Sequence, residues 1–326
     1  MALTEEGIIH VPGLQSRFVK LANGARAHYV SAGDTGPSIV LLHGGIVGSS
    51  GMAGWRFMLP VLAASGFRVY APDRPGFGFS DTREAYWPTL GWKSYVDFVE
   101  DFADSLCIDR FYIGGNSNGT QNSIYFMVNN PTRVIAAALV ATAGLAPMAG
   151  ADASAMIRRP PAANAPRFDG TKESMKALLE PIIYRKETLG DDLLEMRTIA
   201  ANMQKDSQAA RALNQAQADP NTEQYLDLAN RLRRLTIPMI YLHGKQDVLA
   251  PVENAALAEP LLPNIQFFYP DECGHQGQTD QPDMFNQVFL EFFRDSKVSR
   301  KTAEWAGVSK NRPELPSVEQ AEPVRA

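Results

Sequence analysis

Short apolar runs alternate with longer stretches of helical spacing through the first 145 residues. Ser38–Leu42, Phe67–Ala71, Phe111–Ile113 and Val134–Ala141 have the length and continuity of buried strands. Between them, Trp55–Ser65, Tyr95–Leu106 and Thr120–Asn129 carry helical periodicity, and Pro131 ends the last. Asn23-Gly24, flanked by Phe18–Ala22 and Ala25–Val30, is a strong hairpin signal. Strand–helix alternation of this kind predicts an α/β fold: a mainly parallel sheet with helices on both faces. Active groups in such a sheet gather beyond the carboxyl ends of the strands.

The alternation stops between residues 146 and 234. Arg158–Pro166 is rich in proline and alanine and reads as a linker, and 172–232 read as helices with Pro181 and Pro220 as breakers. The strand Ile237–Leu242 then resumes the sheet. The pattern predicts a core of residues 1–145 and 235–295, a helical cap of 146–234 inserted over the site, and a mobile extension at 296–326 containing Pro313, Pro316 and Pro323. Within the cap, Asp191–Gln204 places Leu193, Met196, Ala200 and Met203 on one stripe, with Arg197 on its flank. That cation either meets an anionic substrate or pairs with Glu195 or Asp192. Leu178, Leu179, Ile182 and Ile183 read as cap core more than as pocket lining.

Composition narrows the function classes. The 326 residues are 45% hydrophobic and 21% charged, with a net charge of −5, enough for one large core. Mild acidity gives no basic face for nucleic acid. Cys107 and Cys273 make no disulfide framework, and no secretory leader or run of about 20 apolar residues is seen, so a cytoplasmic protein without a membrane span is expected. No CxxC, HExxH or ligand cluster points to a metal, and Gly76-x-Gly78 lacks the third glycine of a dinucleotide fingerprint. Neither metal nor cofactor is therefore expected. The expected partner is a small-molecule substrate, and a homo-oligomer is left open.

The candidate chemistry begins at Gly115-Asn116-Ser117-Asn118-Gly119, a Gly-x-Ser-x-Gly sequence directly after a strand. This is the pattern of a nucleophile elbow, in which a tight strand-to-helix turn presents one serine. A base must come from five histidines: His10, His28, His43, His243 and His275. His10 lies in the lead-in and His28 in the early hairpin, whereas His43 and His243 end strands. His275 lies in a loop after Ile265–Tyr269. Asp247, after His243, completes the order Ser, Asp, His that this elbow predicts. Asp109 and Asp271 also lie near strand ends and are the competing acids. The serine supplies the attacking oxygen, the histidine takes its proton, and the aspartate fixes the imidazole. His43-Gly44-Gly45 suits an oxyanion hole built from Gly44, Gly45 and the N–H of Asn118.

These residues resemble the α/β-hydrolases, and within them the meta-cleavage product hydrolases that cut carbon–carbon bonds in aromatic-ring degradation. The resemblance spans roughly residues 20–295. It rests on Leu41-Leu42-His43-Gly44-Gly45, on Asp73-Arg74-Pro75-Gly76-Phe77-Gly78-Phe79-Ser80-Asp81 and on the elbow. It continues through His243-Gly244-Lys245-Gln246-Asp247 and Cys273-Gly274-His275, followed by Phe285-Asn286. Asn116 before the serine and the cap segment from Met175 to Arg197 are the narrower features. The resemblance implies the α/β-hydrolase fold and an anionic, aromatic-derived dienoate substrate. It also implies substrate contacts from Arg197 and Asn116, with Gln276 beside them where the family often has tryptophan. Thr120 replaces a frequent glycine, and Gly48–Gly54 lengthens the oxyanion loop. The same triad would serve an esterase or lactonase, and a non-catalytic receptor on this fold is a third reading.

Overall fold

The computed structural model describes residues 11–157, 166–219 and 227–320. His10, Pro220, Pro323 and all but the last residue of the Arg158–Pro166 linker lie outside the described residues. The strands are β1 (Gln15–Lys20), β2 (Arg26–Ala32), β3 (Ser38–Leu42), β4 (Arg68–Pro72), β5 (Phe111–Asn116), β6 (Val134–Val140), β7 (Met239–Leu242) and β8 (Ile265–Phe268). They form one sheet in the order β1-β2-β4-β3-β5-β6-β7-β8. β2 pairs antiparallel with β1 and with β4, and every other pairing is parallel. At the β1–β2 turn Gly24 takes φ +88°, and Asn23 Oδ1 accepts from the Ala25 N–H at 2.9 Å. This is the Asn-Gly chemistry that selects a hairpin.

Successive side chains on a strand point to opposite faces, and the core divides accordingly. Ile39 and Leu41 join one apolar cluster with Trp55, Leu59, Phe285 and Phe289. Val40 and Leu42 join a second with Phe98, Phe102, Ile124 and Phe126. The helices covering these faces are α1 (Gly51–Trp55), α2 (Leu59–Ala64), α3 (Trp92–Ser105) and α4 (Asn118–Asn129), with more in the second half of the chain. The helix expected over Trp55–Ser65 is shorter, α2 alone, because α1 ends at Trp55 and α2 begins at Leu59 with Pro60 in its first turn.

Between β6 and β7 lie α5 (Leu145–Met148), α6 (Lys172–Leu179), α7 (Asp191–Gln204), α8 (Ala209–Ala218) and α9 (Leu228–Arg233). Met175, Leu179, Ile182, Ile183, Leu193 and Met196 pack into the cluster that holds Trp55. Met203 departs from the expected stripe and is 54% exposed. The expected cap of 146–234 is also too wide. Leu145, Ala146, Met148, Ala149 and Leu232 pack in the cluster of α3 and α4, so both ends of the insertion belong to the helix layer on the sheet. Arg231 and Arg233 reinforce this by donating to the Val128 and Ala149 carbonyls.

After α10 (Val252–Ala258) and α11 (Gly277–Asp280), α12 (Pro282–Asp295) covers the first face. The expected mobility of the extension does not hold for residues 296–320. α13 (Arg300–Trp305) follows, and Val298, Ala303, Ala306, Val308 and Val318 are buried. The Tyr269 N–H donates to Gly307 and the Ser309 N–H to Phe267, so the tail covers the open edge beside β8. An uncovered edge strand is a liability that a packed segment removes. Glu291 on α12 holds the start of the tail through the Ser299 N–H (2.7 Å) and the Thr302 hydroxyl (2.8 Å). Among the described residues, no helix is long and apolar enough to cross a membrane.

Candidate active site

β5 lies at the centre of the sheet and runs directly into α4, with Ser117 between them at φ +58°, ψ −119°. A non-glycine residue in that region is strained and persists only where its surroundings fix it. The surroundings are close. A Cβ on Gly115 would lie 2.3 Å from the Gly119 carbonyl carbon, and one on Gly119 would lie 2.1 Å from the Leu42 oxygen. Only glycine fits at either place. The Ser117 N–H donates to the Val140 and Ala141 carbonyls at 3.0 and 2.7 Å, and the Thr120 hydroxyl lies 2.7 Å from both the Gly115 and Val140 carbonyls. Threonine thus ties the elbow to β6, a bond that glycine could not make.

Asp247, in the turn after β7, and His275, in the loop after β8, meet beside this serine. His275 Nδ1 lies 2.7 Å from Asp247 Oδ2, while Asp247 Oδ1 accepts from the Leu249 and Ala250 N–H groups at 2.9 and 2.8 Å. Burial alone would raise the Asp247 pKa. The charge of His275 and the hydrogen bonds of His243 and His275 outweigh it and hold the carboxyl below its ordinary range. An ionised carboxylate at Nδ1 requires the proton there, and in the neutral ring Nε2 is then a lone pair. Nε2 is buried, makes no hydrogen bond, and belongs to a residue lining one cavity of about 270 Å³ with Ser117. The competing acids are elsewhere: Asp271 pairs with Lys245 and Gln246 at the surface, and Asp109 is exposed.

The loop carrying His275 is held from two sides. Its N–H donates to the Ile182 carbonyl of the helical insertion (2.9 Å), and its carbonyl accepts from Asn116 Nδ2 (3.0 Å). Asn116, the expected substrate contact, gives one N–H of its amide to the histidine backbone. His243 is also occupied. Nε2 donates to the Ala250 carbonyl and Nδ1 accepts from Tyr241, both at 2.7 Å, and Nε2 lies 3.2 Å from Asp247.

Gly45 and Asn118 line the same cavity as Ser117. Gly44 does not, but its carbonyl accepts from His43 Nδ1 and from Arg74, both at 2.7 Å. The Gly44 carbonyl and the Gly45 N–H belong to one planar trans peptide and point opposite ways. Whatever fixes the carbonyl therefore fixes the N–H. Burial, reinforced by the Arg74 charge, lowers the His43 pKa to about 3, so the ring stays neutral, and its Nε2 accepts from the Arg74 N–H at 3.1 Å. Arg74 is fully buried, with its guanidinium 4.9 Å from the Phe77 ring centre and 4.7 Å from that of Tyr95. Sequence reasoning singled out the segment around Arg74 without finding this contact. The signal was a charged pair, Asp73-Arg74, straight after the buried end of β4.

Arg197 is 2% exposed and has no carboxylate partner among the described residues. Of the two expected surface partners, Asp192 pairs with Arg56 instead. Arg197 donates to Ser49 Oγ at 3.2 Å and to Gln276 Oε1 at 3.0 Å, and its Nε is buried without a partner. Burial and the nearby Arg56 charge lower its pKa to about 10, which still leaves it a cation at neutral pH. A second cavity of about 480 Å³ lies between core and insertion, lined by Gly45, Phe77, Phe168, Leu178 and Gln204 among others. Leu178 thus faces a cavity, while Leu179, Ile182 and Ile183 are core.

The profile describing the alpha/beta hydrolase fold matches residues 37–282. The chain is 27% identical over 293 residues to a 2-hydroxy-6-oxononadienedioate/2-hydroxy-6-oxononatrienedioate hydrolase of Paraburkholderia phymatum, covering 87% of this chain and 98% of that one. It is 26% identical over 275 residues to a 2-hydroxy-6-oxo-6-phenylhexa-2,4-dienoate hydrolase of Burkholderia cepacia, covering 82% and 91%. Among solved structures, a meta-cleavage product hydrolase from Pseudomonas fluorescens IP01 superposes with a TM-score of 0.68 at 26% identity, over 86% of this chain and 98% of that one. The sheet order, the strained serine between β5 and α4, and a match over three quarters of the length lead to one assignment: the chain belongs to the alpha/beta hydrolase fold family.

Proposed function

We propose that this protein is a serine-dependent hydrolase of ring-cleavage products, cutting a carbon–carbon bond in a 2-hydroxy-6-oxo-hexa-2,4-dienoate. The observation that carries this reading is Arg197, a buried cation without a carboxylate, bonded to the residue next to His275. An isolated buried charge is costly; a substrate carboxylate would supply the missing partner in the bidentate geometry that guanidinium favours. The similar hydrolases named above act on substrates of this class.

In this reading Ser117, Asp247 and His275 are the catalytic set. Arg197 and Gln276 hold the dienoate carboxylate, and His275 moves the proton that converts the dienol to its keto form. Ser117, or a water it positions, attacks the distal carbonyl, and the N–H groups of Gly45 and Asn118 receive the developing oxyanion. Gly44 serves by presenting the Gly45 N–H. Asn116 acts by holding the His275 carbonyl. The carbon–carbon bond then breaks and its electron pair passes into the enone to give the dienolate, which is reprotonated; the acyl carbon leaves as a carboxylic acid, directly from the water adduct or by hydrolysis of an acyl-Ser117. Helices α6–α8 form the cap over this chemistry.

The test measures bleaching of 2-hydroxy-6-oxo-6-phenylhexa-2,4-dienoate and hydrolysis of aryl and lactone esters by wild type, Ser117→Ala and Arg197→Ala. Dienoate cleavage that collapses in both variants is the expected result. Ester turnover indifferent to Arg197, with no dienoate cleavage, would overturn the proposal in favour of an esterase or lactonase.

A further inference from the structure

A second serine–histidine–aspartate chain lies at the far edge of the sheet, and the helical insertion plays no part in it. Ser16 Oγ is 2.8 Å from His28 Nε2, and His28 Nδ1 is 2.7 Å from Asp73 Oδ2. Ser16 sits on the edge strand β1 and is half-buried, whereas His28 and Asp73 are fully buried. In the hairpin register Ser16 faces Val30 and Phe18 faces His28. Serine and histidine are therefore diagonal neighbours on one face, within reach of each other's side chains.

The protons in this chain can be placed. Asp73 accepts from the Gly51 N–H at 2.6 Å and the Phe79 N–H at 2.9 Å in addition to His28. Three donors on one carboxyl group require the ionised form, so His28 carries its proton on Nδ1. In the neutral ring Nε2 is then a lone pair, and the Ser16 hydroxyl donates to it. The imidazole is held in place by Phe18 and Phe79, with ring centres 5.1 and 5.2 Å away. We infer that Ser16 is a second nucleophile, open to covalent modification by activated acyl or phosphonyl electrophiles.

Ser16 differs from Ser117 in its backbone. It lies within a regular strand, without the strand-to-helix turn that sets N–H donors around an elbow serine. Each oxyanion donor is worth about 10²–10³ in rate, so Ser16 reacts with electrophiles that carry their own good leaving group and does not turn over ordinary esters. In the step itself, Ser16 Oγ bonds to phosphorus or acyl carbon and the leaving group departs with its electron pair. The hydroxyl proton passes to His28 Nε2, and Asp73 stabilises the imidazolium. This inference does not depend on the function proposed above.

The experiment treats full-length Ser117→Ala protein with an alkyl fluorophosphonate and follows modification of each serine-containing peptide by mass spectrometry. The expected result is an adduct on Ser16 forming at least tenfold faster than any on Ser65, an exposed serine whose hydroxyl donates only to the Val61 carbonyl. The adduct disappears in Ser117→Ala/Ser16→Ala, and its rate falls at least tenfold in a folded Ser117→Ala/His28→Gln protein. Modification of Ser16 no faster than Ser65, in a protein whose unfolding midpoint matches wild type, would overturn the inference. Ser16→Ala alone should leave dienoate cleavage unchanged, which separates failure here from failure of the proposed function.

Discussion

Two aspartate–histidine pairs in this molecule are built almost alike. Asp247 and Asp73 each lie 2.7 Å from an imidazole Nδ1, and each accepts from two backbone N–H groups. Burial would raise both carboxyl pKa values, and in each case histidine charge and hydrogen bonds reverse that and leave the carboxyl lowered. The pairs differ at the other ring nitrogen and in the backbone of the serine. Nε2 of His275 is vacant beside a strained serine in a cavity; Nε2 of His28 is already bonded to a serine on an ordinary strand. A charge-relay pair is thus a structural device that recurs. What distinguishes a candidate active site is the vacancy, the space before it and the strained backbone that presents the nucleophile.

Removing each carboxylate is the most direct way to break this comparison. Asp247→Asn should lower kcat by about 10⁴, because the amide cannot hold the same tautomer, while circular dichroism stays native. Asp73→Asn should keep kcat close to wild type and lose about 1.5–3 kcal/mol of stability, since an amide NH₂ now meets N–H donors. The Asp73 contribution is also pH-dependent in a defined direction. A carboxyl whose folded pKa is depressed stabilises fully above its unfolded value of about 3.9, and the gain is lost as pH falls further. Urea unfolding of both proteins across pH 3 to 7 should show their difference shrinking below about pH 4. A loss in kcat for Asp73→Asn as large as for Asp247→Asn would end the distinction.

The donors aimed at the vacancy give the next effect. Arg74 fixes the Gly44 carbonyl and through it the Gly45 N–H. Arg74→Met should therefore lower kcat by about 10² with little change in KM, the signature of a group felt in the transition state. Equal changes in binding of a substrate-like and a tetrahedral inhibitor would refute that positioning role. Arg197→Met sharpens the comparison from the ligand side. Losing a charged hydrogen-bonded contact of about 1.5–3 kcal/mol predicts roughly 10–150-fold lower kcat/KM for a dienoate. The same change removes an unpaired buried cation and should stabilise the fold by about 1–4 kcal/mol. An Arg197→Met protein less stable than wild type would mean that Ser49 and Gln276 satisfy the charge without substrate.

Much of this arrangement was legible in the sequence because it is local. The elbow needs glycines within five residues, the hairpin needs Asn23-Gly24, and the order of Ser117, Asp247 and His275 follows from strands that the apolar runs reveal. The remainder depends on contacts between distant segments. Nothing near Asn116 announces that its amide would meet the His275 carbonyl 159 residues away. The Ser16–His28–Asp73 chain is equally silent, since its members lie on β1, on β2 and after β4. Ala146, Met148, Ala149 and Leu232 look like cap by position, yet pack on the sheet's helix layer. The proline-bearing tail reads as mobile because its five buried apolar residues have no period; their order comes from the β8 edge they cover.

That edge supplies the smallest expected effect. β8 leads into the His275 loop and is covered by the tail, whereas β1, which carries Ser16, is the strand at the opposite end of the sheet. Val318 is 1% exposed and bridges Val298. At about 0.8 kcal/mol for each buried carbon, Val318→Ala should cost about 1.5 kcal/mol in urea unfolding. If the tail is part of the same cooperative unit as β8, amide exchange should rise for Phe267–Tyr269, next to the His275 loop, and stay unchanged for Ser16 and His28. Kcat should remain close to wild type, since Asp247 and the Ile182 and Asn116 contacts still hold the histidine. Unchanged stability in Val318→Ala would show that the tail only rests on the edge and lends no support to the strand that leads into the His275 loop.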